Sequence, residues 1–195
     1  KNTLAGFTVN VEIDPSVNQG DAGDGGNSRT AANTPGSSLN LAITNNTLIE
    51  GLDFGVGHGE IDWDRGSANT DSLANTKSVT GYANYSFGPV TVGVQQSYTS
   101  GSVSATGTHV GGNEVENMGI AFNVNDALSV SYQDLSNTRL NTSGNADVEQ
   151  EMDGVQIAYT MGGATLRISD VSVSNGAFTA NNSEDRTEIS LLMAF

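Results

Sequence analysis

Strict alternation of apolar and polar residues recurs ten times along this chain, and that pattern confines it to β-structure. "FTVNVEI" sets Phe7, Val9, Val11 and Ile13 against Thr8, Asn10 and Glu12. The same period of two runs through "SLNLAI", "LDFGVGHG", "VTGYANYSF", "VTVGVQQSY", "MGIAFNV", "LSVSY", "VQIAYTM", "TLRIS" and the closing "TEISLLMAF". A helical period is almost absent. Only one face of each segment is apolar, so the predicted fold is an all-β antiparallel sheet of about ten strands.

The connections carry a second rule. Read backward from Phe195, long polar stretches alternate with short ones: "SNGAFTANNSED", "MGGA", "NTRLNTSGNADVEQE", "NVNDA", "SGSVSATGTHVGGNE", "FGPV". A soluble sandwich has no reason to keep such an order. A transmembrane β-barrel does, because its turns are short on one side of the membrane and its loops long on the other. Aromatic residues follow the same division. Phe7, Phe54, Phe87, Phe122, Tyr159 and Phe195 sit near short-turn ends, whereas Trp63 and Tyr98 sit near long-loop ends. Two aromatic girdles are what the two interfaces of a bilayer select. Phe195 then reads as the last outward girdle residue, facing lipid rather than a core.

Composition narrows the classes further. The chain has 195 residues, 36% of them hydrophobic, with 24 glycines, no cysteine and a formal charge of −15. One domain, 1–195, accommodates that length. No apolar run reaches the ~18–20 residues of a membrane helix, which excludes helical spans but not strands. The acidity excludes a nucleic-acid partner, which needs a basic footprint. Absence of cysteine excludes disulfides and thiolate metal sites. Two histidines, His58 and His109, lack any local nucleophile or carboxylate pattern, so no enzyme is predicted. The chain opens on Lys1 without a signal peptide, the expectation for a processed or truncated product.

Two stretches resemble a known family. "DGVQIAYTMGGATLRISDVSVSN…EDRTEISLLMAF" is similar to the C-terminal end of Gram-negative general porins, particularly the alphaproteobacterial type, and "GYANYSFGPVTVGVQQSYTSG" resembles one of their hairpins. The resemblance implies a bacterial outer-membrane location and homotrimeric 16-stranded barrels for passive diffusion of small hydrophilic solutes. It also implies contact with outer-membrane lipid and lipopolysaccharide. A C-terminal Phe, here Phe195, would be the signal read by the outer-membrane assembly machinery. With about ten strands, this chain is expected to be the C-terminal part of such a barrel, without its constriction loop.

Within that frame Glu12, Asp53, Arg167 and Glu188 are expected to line the pore, with Glu60 and Lys77 near its outer rim. Arg167 alternatively pairs with Glu188 or Asp170 to hold neighbouring strands. Past Ser169 the apolar parity changes, from Leu166 and Ile168 to Val171 and Val173, which predicts a bulge near Ser169–Asp170. Most acidic residues fall in or beside the long connections, so an acidic mouth and a weak cation preference are expected. Asp21, Asp24, Asp147 and Glu149 are candidate Ca²⁺ or Mg²⁺ ligands, but their spacing matches no EF-hand or nonapeptide repeat. No cofactor is otherwise implied. The alternative reading is a secreted, acidic, calcium-binding β-rich surface adhesin.

Overall fold

The computed structural model describes residues 2–4, 6–15, 34–64, 75–100, 110–141 and 146–193. They form β1 (Asn2–Leu4), β2 (Phe7–Asp14), β3 (Thr34–Asn45), β4 (Leu52–Asp64), β5 (Thr76–Phe87) and β6 (Val90–Ser100). β7 (Val110–Asn123), β8 (Leu128–Asn141), β9 (Val148–Met161), β10 (Ala164–Ser174) and β11 (Glu184–Met193) follow, with one 3-10 turn at Gly176–Phe178. All eleven strands lie in a single sheet in chain order. Every neighbouring pair is antiparallel, as for β2 with β3 and β10 with β11. The ten alternating segments correspond to β2–β11, and β1 is a three-residue addition paired with the start of β2.

Turn chemistry explains the tight connections. The Asn45 side-chain oxygen accepts from the N–H groups of Thr47 (2.9 Å) and Leu48 (2.8 Å). Asn125 does the same for Ala127 and Leu128, both at 2.9 Å. Such Asx turns satisfy backbone donors locally and reverse the chain within a few residues. Gly51 has φ +81°, and a Cβ there would lie 2.3 Å from the Ser86 carbonyl oxygen, so only glycine fits.

Two expectations are corrected. β7, β8 and β9 each run for 14 residues, well beyond the apolar segments that announced them. Much of "NTRLNTSGNADVEQE" is therefore strand rather than loop. Ladder hydrogen bonds continue regardless of which face is apolar, so periodicity on one face understates strand length. The bulge near Ser169–Asp170 is absent: β10 keeps an unbroken register with both β9 and β11. Register shifts occur instead between Pro35 and Ser38 and between Val110 and Gly112. Val171 and Val173 consequently share a face with Arg167, not with Ile168.

Among the described residues no hydrophobic side chain is buried. Ile120, Ile157 and Leu191 are 46%, 43% and 60% exposed. A sheet in water would cover such a face with a second layer. Here one layer presents it bare.

Candidate functional site

Register assigns every strand residue to one of two faces. Starting from Ile189, cross-strand partners run through Ile168, Ile157, Val130, Phe122 and Val90 to Phe87. One residue away, the row from Glu188 runs through Ser169, Gln156, Ser131, Ala121 and Thr91 to Ser86. The first face is the apolar band; the second is lined by hydroxyls, amides and small residues.

The apolar band is tilted against the hydrogen-bond rows. On β2 its upper edge is Ile13, whose row passes Leu39 and Glu60 to Lys77. On β11 its upper edge is Ile189, whose row meets β5 at Phe87, ten residues lower. With ~3.4 Å per residue and ~4.8 Å per strand, ten residues over nine strand spacings correspond to strands tilted by about 38° from the band normal. Transmembrane barrels tilt by about 35–45°. The lower edge steps the same way: Phe7 and Phe54 lie in one row, Phe87 and Phe122 in a lower one, and Tyr159 lower still. The Phe7 and Phe54 rings meet edge-to-face at 6.2 Å. A planar slab cutting obliquely across the strands accounts for both edges at once.

Above the band the same outward face turns acidic. Glu114, Glu116, Asp134, Glu149, Glu151, Asp153, Asp170 and Asp185 all lie on it by register. All of these carboxylates except Asp170 were expected in or beside loops; all are strand residues on the outer wall. Glu60 and Lys77, expected to face inward near the rim, are cross-strand partners on this outer face, 3.4 Å apart. His58 is in the outward row of Leu41 and Val79.

Glu12, Asp53, Arg167 and Glu188 all fall on the polar face. They do not converge: Glu12 and Asp53 belong to β2 and β4, and the other two to β10 and β11. Glu188 pairs with Arg186 at 2.9 Å rather than with Arg167. Asp170 lies on the opposite face and accepts from the Thr187 hydroxyl at 2.6 Å. Two polar-face arginines escaped the sequence reading, Arg139 and Arg186. Arg139 sat in an apparent loop, yet it extends β8 with the parity of Gln133. Its guanidinium lies 4.8 Å from the centre of the Phe178 ring and donates to the Phe178 carbonyl at 3.4 Å. Asn175 donates to the Glu149 carbonyl at 2.9 Å, so the 175–183 connection is folded against β8 and β9. This fold holds Asn175, Ala177, Phe178 and Asn181 at left-handed φ of 52°, 55°, 56° and 62°.

Of the remaining expected residues, Tyr98 is on the outer face, its hydroxyl 3.4 Å from the Gly111 carbonyl. Trp63, paired through its backbone with Pro35, has the parity of Asp53 along β4, so register gives it a position on the polar face rather than the outward girdle expected of it. Asp21, Asp24, His109 and Phe195 lie outside the described residues. Asp147 accepts from the Asn141 N–H at 2.8 Å. Among the described residues no three acidic or histidine side chains gather as a metal site requires.

No protein-family model matches this sequence. No curated protein matches it either. Among solved structures, it is similar to a porin refined at 1.8 Å resolution, with a TM-score of 0.64, 14% identity and 98% of this chain covered. The chain spans about 60% of that porin's length. The likeness is one of fold: this chain is an all-β, antiparallel sheet of porin β-barrel type.

Proposed function

We propose that this chain forms part of the wall of a water-filled outer-membrane channel through which small hydrophilic solutes and ions diffuse passively. The observation that carries this reading is the coreless two-faced sheet, whose apolar band crosses the strands at a barrel-like slope. A soluble adhesin with the same sheet would need a second layer over that band. A lipid-facing wall needs none, because hydrocarbon covers it.

The edges of the sheet support the rest of the proposal. β1 and β11 each have one strand neighbour among the described residues. Open edges are not tolerated in hydrocarbon. Further strands of a 16-stranded barrel would close the wall, and three such barrels would form the trimer. Glu12, Asp53, Arg167 and Glu188 are the proposed pore-lining residues, with Arg139 and Arg186 added. Phe7, Phe54, Phe87, Phe122 and Tyr159 form the proposed lower girdle, with Tyr98 towards the long-loop side. The outer acidic wall would stand at the level of lipopolysaccharide headgroups, and Phe195 would serve the assembly machinery. On the polar face Glu12, Asp14, Asp53, Glu184 and Glu188 outnumber Arg139, Arg167 and Arg186, which supports a weak cation preference.

Planar-bilayer recording tests the channel directly. The purified protein should add stepwise conductance increments that are linear in voltage. A folded, membrane-inserted protein that adds no conductance would refute the proposal.

A further inference from the structure

The polar face carries a cluster of apolar side chains around one glycine, and it has a definite shape. On β8, β9 and β10 the register builds three rows of three positions. The upper row is Leu135, Met152 and Val173; the middle row is Gln133, Gly154 and Val171; the lower row is Ser131, Gln156 and Ser169. Eight side chains therefore surround one glycine. At ~4.8 Å between strands and ~6.8 Å between alternate residues, the window measures roughly 10 by 14 Å around a position that bears no side chain. A cavity of about 290 Å³ opens there, lined by Leu135, Met152, Gly154, Gln156, Ser169 and Val171, among others.

The lining specifies a ligand class. Leu135 and Met152 above the glycine, with Val171 beside it, offer an apolar wall. Below it, Ser131, Gln156 and Ser169 have no side-chain hydrogen-bond partner among the described residues. Gln133 donates its amide N–H to Asn117 at 3.1 Å, leaving its amide oxygen available. No charged side chain lines the cavity; Arg186, the cross-strand partner of Val171, is paired with Glu188, and Arg167 lies two residues beyond Ser169 on the same face, outside the lining. An ion held within the cavity would lose hydration with no charged side chain in the lining to replace it. A neutral solute with one C–H face and a rim of hydroxyls loses nothing comparable. The volume is at the lower limit for small-molecule pockets, the size of a single sugar ring.

We propose that this glycine-centred window is a binding site for a neutral, monosaccharide-sized polyol on the channel wall. The inference rests on the channel reading for its access route, though not for its chemistry. Gly154 is the key position, since a Cβ there would meet Val171 Cγ2 at 3.1 Å and the Asp170 carbonyl at 3.3 Å while filling the centre.

Saturation-transfer NMR on the folded, detergent-solubilised protein, with methyl α-D-glucopyranoside as probe, measures binding without requiring conduction. Transfer should reach the sugar C–H protons, and glucuronate should bind about tenfold more weakly. Gln156→Ala should weaken sugar binding about three- to tenfold, the usual worth of one neutral hydrogen bond. Gly154→Met should abolish it. If Gly154→Met fails to fold, Gln156→Ala decides alone, because it removes an amide from a solvated face. Absence of transfer to the folded wild type, or unchanged affinity in Gln156→Ala, overturns the proposal. Conduction without sugar binding removes the window and leaves the channel; sugar binding without conduction does the reverse.

Discussion

Val94 and Asp153 occupy the same hydrogen-bonded row, linked through Met118 and Asp134, yet they should answer oppositely to the same substitution. If the strands are tilted by about 38°, three spacings of ~4.8 Å raise Asp153 about 9 Å above Val94 along the membrane normal. Val94 is then near the middle of the hydrocarbon, and Asp153 is near its upper edge. An arginine on the lipid face costs about 2–4 kcal/mol at the midplane and about 0–1 kcal/mol near an interface. Val94→Arg should therefore destabilise the barrel by about 2–4 kcal/mol. Asp153→Arg should be neutral or slightly favourable, since Asp153 now faces Asp134 directly and like charges repel across a ladder. Reversible guanidinium titration of folding into lipid vesicles measures both. Equal costs would mean that the row lies parallel to the membrane and that the tilt is wrong. Negligible cost at Val94 would mean that the face is not in lipid.

Other outcomes follow from separate parts of the molecule. Deleting Phe195 should lower the amount of protein inserted in the outer membrane without lowering synthesis, as read by membrane fractionation. Reversal potentials across a salt gradient should show a weak cation preference that fades as the Debye length falls from about 10 Å at 0.1 M salt to about 3 Å at 1 M. Ala177→Gly should stabilise the 175–183 connection by about 1 kcal/mol, because Ala177 has φ 55° and glycine adopts that conformation freely; slower limited proteolysis at this connection is the readout.

The strands were legible because one face of each had to be apolar to meet lipid, and a period of two leaves a clear trace. Where the outward residues turn acidic, as at Glu149, Glu151 and Asp153, the same trace vanishes while the ladder continues. These strand residues therefore look like loop in the sequence, and the outer wall looks like a mouth. The false bulge at Ser169 has a related cause. Val171 and Val173 change parity because they belong to the glycine-centred window, not because the strand slips. Arg139 could have been found by extending the parity of Ser131 and Gln133 along β8, but its contact with Phe178 bridges 39 positions of sequence. The sloping edge of the band was also unreadable, since it exists only once register ties the strands together.

The central claim is that alternate residues face water and lipid. The chain contains no cysteine, so single substitutions report cleanly. Along β11, cysteines at positions 188 and 190 should react with a membrane-impermeant thiol reagent in vesicles, whereas those at 189 and 191 should stay protected. Equal labelling at all four positions, or protection at 188 and 190 with reaction at 189 and 191, would contradict the account.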